Sequence, residues 1–261
     1  MPARLVLPLL LVTLAGASPA PAQDFQTRWK ARVEAFRAEN ARLPADQRHV
    51  VLLGSSSMEG WAQGGRVRRF LPTVGPRTLN RGISGDGIGI SRTTGVANRL
   101  EVSAFDCRPS HVVLLNGRNS LGQGVARTAE VYRQVVTRLR RELPETVVVL
   151  VTCPPTRGQY AHLAGPTLEL NQEIRRIARD LGCRLIDLHP LLVDADGRSM
   201  RPALTRDGLH FGDEGYRLLG QAIEAIVAEG GAPPPLPPEP EAEAAPAGAG
   251  APGGLVGGLQ R

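Results

Sequence analysis

Residues 50–57 have the sequence Val50-Val51-Leu52-Leu53-Gly54-Ser55-Ser56-Ser57. A short apolar run that ends at a glycine and polar turn residues is typical of a buried strand in a parallel sheet. Ligands of open parallel sheets bind just beyond the carboxyl ends of the strands. The serines that follow Leu53 therefore stand where an enzyme places a nucleophile, although an ordinary polar turn between a strand and a helix has the same pattern.

Strand and helix patterns alternate along the rest of the chain. The patterns predict strands over residues 50–53, 78–80, 111–115, 147–151 and 184–187. They predict helices over residues 27–40, 88–101, 125–143, 168–181 and 214–228, the last capped by Asp213, and they leave residues 58–70 ambiguous because glycines interrupt them. Because strands and helices alternate, we predict the α/β class, with a three-layer α/β/α fold around a five-stranded parallel sheet.

The two ends of the chain differ in composition from its middle. Residues 1–22 have the pattern of a secretory signal, with Arg4 before an apolar segment and Ala20-Pro21-Ala22 at the cleavage site. That segment is too short for a permanent membrane helix. We therefore expect an exported protein, periplasmic or extracellular, without a stable membrane anchor. We predict a helical segment over residues 23–45, the main domain over residues 46–229, and a disordered tail rich in Pro, Ala and Gly over residues 230–261.

The charge composition gives only weak information about partners. The net charge is +6, with 31 basic against 25 acidic residues. Nearly all the basic residues are arginines, and they are scattered along the chain rather than clustered into a basic patch. We therefore predict no nucleic-acid partner, although a weak preference for anionic surfaces is compatible with this charge. The oligomeric state is left open.

The cysteines are Cys107, Cys153 and Cys183, an odd number for an exported protein. Cys107 and Cys183 precede predicted strands, whereas Cys153 follows one. A strand of about five residues separates the two edges of a sheet by roughly 17 Å, and a disulfide needs Cα atoms within about 7 Å. Cys107–Cys183 is therefore the pair to consider, and three free buried cysteines are equally compatible with the sequence.

Four polar clusters follow predicted strands or precede the last helix. They are Ser55-Ser56-Ser57, Ser84-Gly85-Asp86, Arg118-Asn119-Ser120 and Asp207-Gly208-Leu209-His210. A serine hydroxyl needs a general base, a role that suits His210, and Asp207 can orient the imidazole. The backbone N–H groups of Ser56 and Gly85 and the amide of Asn119 are candidates for stabilising an oxyanion. Together these residue types predict acyl transfer. Taken alone, the Asp–His pair is also compatible with an ordinary loop, and residues 85–89 fit a dinucleotide fingerprint poorly.

The four clusters, in this order, resemble the blocks of the SGNH hydrolases, also called the GDSL esterases and lipases. Gly54-Ser55-Ser56-Ser57 resembles the first block, Asn80-Arg81-Gly82-Ile83-Ser84-Gly85-Asp86 the second, Gly117-Arg118-Asn119-Ser120 the third and Asp207-Gly208-Leu209-His210 the last. The resemblance implies a flavodoxin-like domain over residues 46–229 and a serine hydrolase without metal or cofactor. It implies Ser56, Asp207 and His210 as the catalytic residues, and Ser56, Gly85 and Asn119 as the oxyanion hole.

Two positions depart from the usual family pattern. Ser55 stands where an acid usually precedes the nucleophile, and Ser120 stands where an acid usually follows the asparagine. Neither position belongs to the catalytic set, so activity is expected to survive. Both changes make the rim less acidic, and Arg118 makes it more basic. We therefore predict that Arg118 binds substrate and that the enzyme favours an anionic or acidic-polymer substrate.

The sequence favours an exported serine esterase that releases an acyl group, with acetyl as one candidate, from a small-molecule or glycan ester. A lipase or thioesterase acting on longer acyl chains is the alternative among enzymes. A non-catalytic glycan-binding module on the same scaffold is the alternative of another class. The intact set of candidate catalytic residues argues against the binding module.

Overall fold

The computed structural model describes residues 24–91 and 93–231. The predicted signal sequence lies outside the described residues, as does the predicted tail beyond residue 231, and both stay predictions. Within the described part of the chain, no helix is long and apolar enough to cross a bilayer.

The elements follow one another in the predicted alternation of strands and helices. The strands are β1 (His49–Gly54), β2 (Thr78–Gly82), β3 (Pro109–Leu115), β4 (Val147–Val151) and β5 (Arg184–Ile186). The α-helices are α1 (Phe25–Asn40), α2 (Ser56–Glu59), α3 (Arg66–Phe70), α4 (Leu100–Ser103), α5 (Val125–Glu142), α6 (Ala164–Asp180), α7 (His189–Leu192) and α8 (Asp213–Glu229).

The strands form one parallel sheet in the order β2-β1-β3-β4-β5. Helix α5 packs against α6, and α3 packs against α8. The predicted three-layer α/β/α fold is therefore confirmed. The strand order is the flavodoxin-like one, in which the chain reverses direction across the sheet between β1 and β3. Ligands bind at the carboxyl ends of the strands at such a switch point, which here is bounded by Gly54 and Leu115.

The prediction of a helix over residues 88–101 is wrong for the first half of that range. Residues 88–91 and 93–95 are irregular, and only a 3-10 turn (Val96–Arg99) and α4 follow. The backbones of Gly89 and Gly95 pack so closely that a Cβ on Gly95 would lie 2.3 Å from the Cα of Gly89. Backbone hydrogen bonds close this loop, from the N–H of Val96 to the carbonyl of Gly87 at 3.0 Å and from the N–H of Ala97 to the carbonyl of Ile88 at 2.9 Å. The two glycines permit the close approach that these bonds require.

The structure resolves one other local prediction and shows that a second one, the Asp213 cap, is wrong. The ambiguous residues 58–70 fall into α2, a 3-10 turn (Gly60–Ala62) and α3. Asp213 does not cap α8, because Gly212 occupies the N-cap position. The Asp213 carboxylate instead accepts hydrogen bonds from Arg66, at 2.9 Å, and from Arg69, at 2.7 Å. These ion pairs fasten α8 to α3.

All three cysteines are free. Cys107 precedes β3 and Cys183 precedes β5, so both lie at the amino edge of the sheet, as expected. Strand β4 lies between β3 and β5. Two inter-strand spacings of about 4.8 Å place the cysteines roughly 10 Å apart, beyond the reach of a disulfide. Sequence reasoning assigned the correct edge but could not supply the strand order.

The buried imidazole of His111 gives the fold a predictable sensitivity to acid. Its pKa is lowered from 6.5 to about 4 by burial and by the charges of Arg77 and Arg48. Because the unfolded chain takes up this proton near the ordinary pKa and the native chain only at lower pH, stability falls as the pH drops through that interval, by up to about 3 kcal/mol. Urea unfolding at about pH 7 and about pH 4.5 measures the loss, which we expect to be smaller in His111→Gln. Equal losses of stability in the wild type and in His111→Gln would contradict the attribution of this acid sensitivity to His111.

Candidate active site

Ser56 begins α2 directly beyond the carboxyl end of β1. The carbonyl of Ser55 accepts hydrogen bonds from the backbone N–H groups of Met58 and Glu59, at 3.0 and 2.8 Å, which turns the chain sharply after the strand. Gly54 permits this turn, because a Cβ there would lie 2.1 Å from the carbonyl oxygen of Leu115 in β3. The close approach of the two strand ends places the Ser56 hydroxyl at the switch point of the sheet.

His210 and Asp207 lie on the loop before α8 and reach Ser56 across 154 residues of sequence. The Nε2 atom of His210 lies 2.8 Å from the Ser56 Oγ, and its Nδ1 atom lies 2.6 Å from the Asp207 Oδ2. Since a carboxylate only accepts, Nδ1 carries the proton and donates a hydrogen bond to Asp207. This tautomer leaves the Nε2 lone pair free to accept a hydrogen bond from the Ser56 hydroxyl.

The loop itself fixes the Asp207 carboxylate. Its Oδ1 atom accepts hydrogen bonds from the backbone N–H groups of Leu209 and His210, at 2.9 and 2.8 Å. Partial burial raises the pKa of Asp207, but the hydrogen bonds from His210 and Leu209 outweigh it and keep the pKa well below the usual range of an aspartate. Asp207 therefore stays ionised at neutral pH and can stabilise a protonated His210.

The three candidate oxyanion donors lie on separate segments of the chain, after β1, β2 and β3, at the same sheet edge. Gly85 adopts φ +83°, a left-handed conformation that favours glycine. Neither the backbone N–H of Gly85 nor that of Ser56 has a hydrogen-bond acceptor among the described residues. The Asn119 amide donates to the carbonyl of Asp86 at 3.0 Å. That bond uses only one of its two N–H groups, so the second can donate to a bound group.

A buried ion pair connects the Ser56 turn to the Gly85 turn. Arg99 Nε donates to the Asp86 Oδ2 at 2.8 Å, with side chains 0% and 1% exposed. The Arg99 guanidinium also donates to the carbonyls of Gly54 and Arg81, both at 2.9 Å. Burial raises the pKa of Asp86 and lowers that of Arg99, and each charge opposes the shift of the other. The pair therefore holds the ends of β1 and β2 in one arrangement.

Arg118 is half-buried, and its guanidinium contacts protein carbonyls. It donates to Pro154 at 3.3 Å and to Leu209, beside His210, at 3.2 Å. Burial lowers its pKa. Substrate binding by Arg118 stays a prediction, and these contacts indicate a second role, the positioning of the loop that carries His210. Ser120, next to Asn119, also has a structural role, because its hydroxyl accepts a hydrogen bond from the N–H of Ile88 at 3.0 Å.

The variant Arg118→Ala separates the two roles of this arginine. If Arg118 positions the His210 loop, kcat falls about tenfold or more toward neutral and anionic esters alike, because a small misplacement of a catalytic group is costly. Steady-state kinetics with matched neutral and anionic esters measure this. Arg127→Ala is the control, because Arg127 is an exposed arginine whose ion pair is with Glu130 on the surface of α5. A loss confined to anionic esters would instead support direct substrate binding.

Residues 52–218 match the sequence pattern of the GDSL-like Lipase/Acylhydrolase family, which is more than half of the chain. The chain belongs to this family. This GDSL acylhydrolase is thus an ester-hydrolysing enzyme, as the sequence predicted. Among the described residues, no group of three or more His, Cys, Asp or Glu side chains is arranged to hold a metal ion.

Solved structures of other hydrolases share the fold of this GDSL acylhydrolase. A GDSL-like lipase from Bacteroides thetaiotaomicron has a TM-score of 0.66 and 20% identity, over 79% of this chain and 99% of that chain. An acetyl xylan esterase has a TM-score of 0.56 and 23% identity, over 69% and 99%. An acetylxylan esterase from Geobacillus stearothermophilus has a TM-score of 0.55 and 16% identity, over 69% and 94%. No curated protein sequence matches the chain.

Sequence reasoning missed how this GDSL acylhydrolase supports its Gly85 turn. The buried partners of Asp86 are Arg99 and the indole of Trp29, which donates to the Asp86 Oδ1 at 3.0 Å. The sequence pattern placed Trp29 only within the helix predicted over residues 27–40. Its indole N–H was an available signal, because a buried tryptophan usually finds an acceptor.

Proposed function

We propose that this enzyme is an exported serine esterase that hydrolyses short acyl esters, acetyl esters among them, through an acyl-enzyme intermediate. The observation that carries the proposal is the continuous chain of hydrogen bonds from Ser56 Oγ through His210 to Asp207, at 2.8 and 2.6 Å. This geometry, at the edge where parallel sheets bind ligands, supports Ser56 as the nucleophile, His210 as the base and Asp207 as the orienting carboxylate.

In the acylation step, Ser56 Oγ attacks the ester carbonyl while His210 Nε2 takes the hydroxyl proton. Asp207 stabilises the imidazolium that forms. The carbonyl oxygen becomes an oxyanion, which the N–H groups of Ser56 and Gly85 and the amide of Asn119 stabilise. His210 then gives its proton to the leaving alcohol oxygen, and the C–O bond breaks. The acyl group remains on Ser56.

Deacylation repeats these steps with water as the nucleophile. His210 Nε2 takes a proton from the water as its oxygen attacks the acyl carbon, and the same donors hold the second oxyanion. When the intermediate collapses, the proton passes from His210 to Ser56 Oγ, and the carboxylic acid leaves. No group other than the ester and water is consumed, and the enzyme returns to its starting state.

Two observations support short acyl groups over long ones. Two of the structural neighbours are acetylxylan esterases, although their likeness to this chain is one of fold. The depression that adjoins Gly85 and Asn119 is also small, at about 360 Å³, and its lining is largely glycine and polar residues. Export rests on the signal pattern of residues 1–22 alone.

Labelling with a fluorophosphonate probe tests the proposal directly. The probe phosphonylates an activated serine, so peptide mapping should place the label on Ser56, and the label should be absent from His210→Ala. A panel of p-nitrophenyl esters of rising chain length, run beside acetylated sugars, then measures the preference for short acyl groups. A folded sample that takes up no label and cleaves no ester would refute catalysis and favour a glycan-binding module.

Removal of the Asn119 amide tests the proposed oxyanion hole. Asn119→Ala is expected to lower kcat by about 10²–10³-fold with little change in KM, because one oxyanion donor is worth roughly 3–4 kcal/mol in the transition state. The matched control is Gln123→Ala, since Gln123 lines the same depression. An Asn119→Ala variant with an unchanged kcat would exclude Asn119 as a donor.

A further inference from the structure

Two surface depressions adjoin the proposed catalytic residues, and they share no lining residue. One, of about 550 Å³, is lined by Asp207, His210 and the neighbouring Thr205 and Arg206, among others. The other is the depression of about 360 Å³ that Gly85 and Asn119 line. One depression therefore contacts the general base, and the other contacts the oxyanion donors.

The chemistry of ester cleavage assigns the two halves of the substrate to these depressions. The leaving alcohol oxygen must come within hydrogen-bond reach of His210 Nε2 to receive its proton. The alcohol therefore extends into the depression beside His210. The acyl chain is the other substituent of the carbonyl carbon, so it extends into the depression beside Gly85 and Asn119.

The ring of Phe25 forms part of the wall of the acyl-side depression. Phe25 is the first residue of α1 and is half-buried. Its Cε2 atom would lie 3.2 Å from a Cβ built on Gly85, so the ring directly faces the turn that carries an oxyanion donor. Helix α1 precedes residues 52–218, which match the family pattern. This wall is therefore contributed by a segment outside the matched region.

Helix α1 is fixed firmly enough to act as a wall. Trp29 is 6% exposed and packs with Phe36, Ile83 and Val102 in an apolar cluster separate from the main core. Its indole N–H donates to Asp86 at 3.0 Å, and Arg28 donates to the carbonyl of Ser84 at 3.1 Å. These bonds join α1 to the residues on both sides of Gly85, so the Phe25 ring and the Gly85 turn are held together.

We propose that Phe25 is a specificity-determining residue whose ring limits the length of the acyl chain that this esterase accepts. The inference rests on the proposed function and goes beyond it by assigning the acyl side of the site. Removal of the ring opens the depression toward α1. Longer chains then fit, while the alcohol half, which lies beside His210, is unaffected.

The experiment compares kcat/KM for acetyl, butanoyl, hexanoyl and octanoyl p-nitrophenyl esters in the full-length protein. In Phe25→Ala the ratio of octanoyl to acetyl ester hydrolysis should rise about tenfold or more, since each methylene that gains a contact contributes to discrimination. Phe25→Leu retains an apolar anchor for α1 and should give a smaller rise. Val33→Ala is the matched control, because Val33 lies on the same helix and packs on the same cluster.

A second series of acetyl esters with different alcohols separates the two depressions. Phe25→Ala should leave the ranking of the alcohols unchanged. An unchanged acyl profile in both Phe25 variants would overturn the inference, as would a shift in the alcohol ranking or an equal change in Val33→Ala. The wild type tests the proposed function separately: if it cleaves no ester and takes up no fluorophosphonate, the proposed function fails and this inference fails with it.

Discussion

Ser56→Ala is expected to lower kcat for ester hydrolysis by about 10⁴–10⁶-fold without unfolding the protein. The hydroxyl is the only group of Ser56 that the substitution removes, and its described side-chain contact is the 2.8 Å bond to His210 Nε2. The backbone N–H, a candidate oxyanion donor, remains. Steady-state kinetics measure the loss in kcat, and thermal unfolding should give a Tm close to that of the wild type.

The neighbouring serines provide the controls for this substitution. Ser55→Ala and Ser57→Ala should each retain activity within about tenfold, since neither hydroxyl contacts His210 in the described structure. The carbonyl of Ser57 accepts a hydrogen bond from Tyr216 at 2.8 Å, and alanine preserves that carbonyl. His210→Ala should cost as much as Ser56→Ala, and the double variant little more, because the two groups act as a unit. A Ser55 or Ser57 variant with the larger loss would move the nucleophile to that position.

The sheet and the residues at its carboxyl edge could be predicted from the sequence because the relevant signals are local. The apolar run of β1 ends in a turn, and the turn exposes a serine at the edge where parallel sheets bind ligands. The same reasoning applies to Gly85 after β2 and Asn119 after β3. To predict that His210 pairs with Ser56, the order of the four family blocks along the chain was also required, because no local pattern relates residues so far apart.

Other features depend on contacts that no local pattern shows. Arg118 was predicted to bind substrate at the rim of the site, and no sequence pattern indicated that its guanidinium also contacts the carbonyls of Pro154 and Leu209. Residues 88–101 were predicted as one helix, but backbone hydrogen bonds from Val96 to Gly87 and from Ala97 to Ile88 close a loop in their first half. In each case a tertiary contact decides the structure, and a sequence pattern describes only the residue and its neighbours along the chain.

Arg99→Leu is expected to lower the free energy of unfolding by about 3–5 kcal/mol, the largest loss of stability that we predict. The substitution leaves the buried Asp86 carboxylate with Trp29 as its remaining side-chain partner, and the carbonyls of Gly54 and Arg81 lose a donor. Urea unfolding measures the loss. On the exposed surface, Arg127→Leu breaks an ion pair with Glu130 whose side chains are 50% and 54% exposed. That control should change stability by less than about 1 kcal/mol.

The double variant Asp86→Asn/Arg99→Leu shows whether the loss of stability in Arg99→Leu comes from the charge of an isolated Asp86 carboxylate. Because asparagine is neutral, the double variant should be more stable than Arg99→Leu alone, although the carbonyls of Gly54 and Arg81 still lack the hydrogen bonds that Arg99 donates. Activity should fall in the folded fraction of Arg99→Leu as well, since Gly54 precedes the Ser56 turn and Asp86 follows Gly85. If Arg99→Leu unfolds at the same urea concentration as Arg127→Leu, the ion pair does not hold the two turns together. The alignment of nucleophile and oxyanion donors would then depend on the sheet alone.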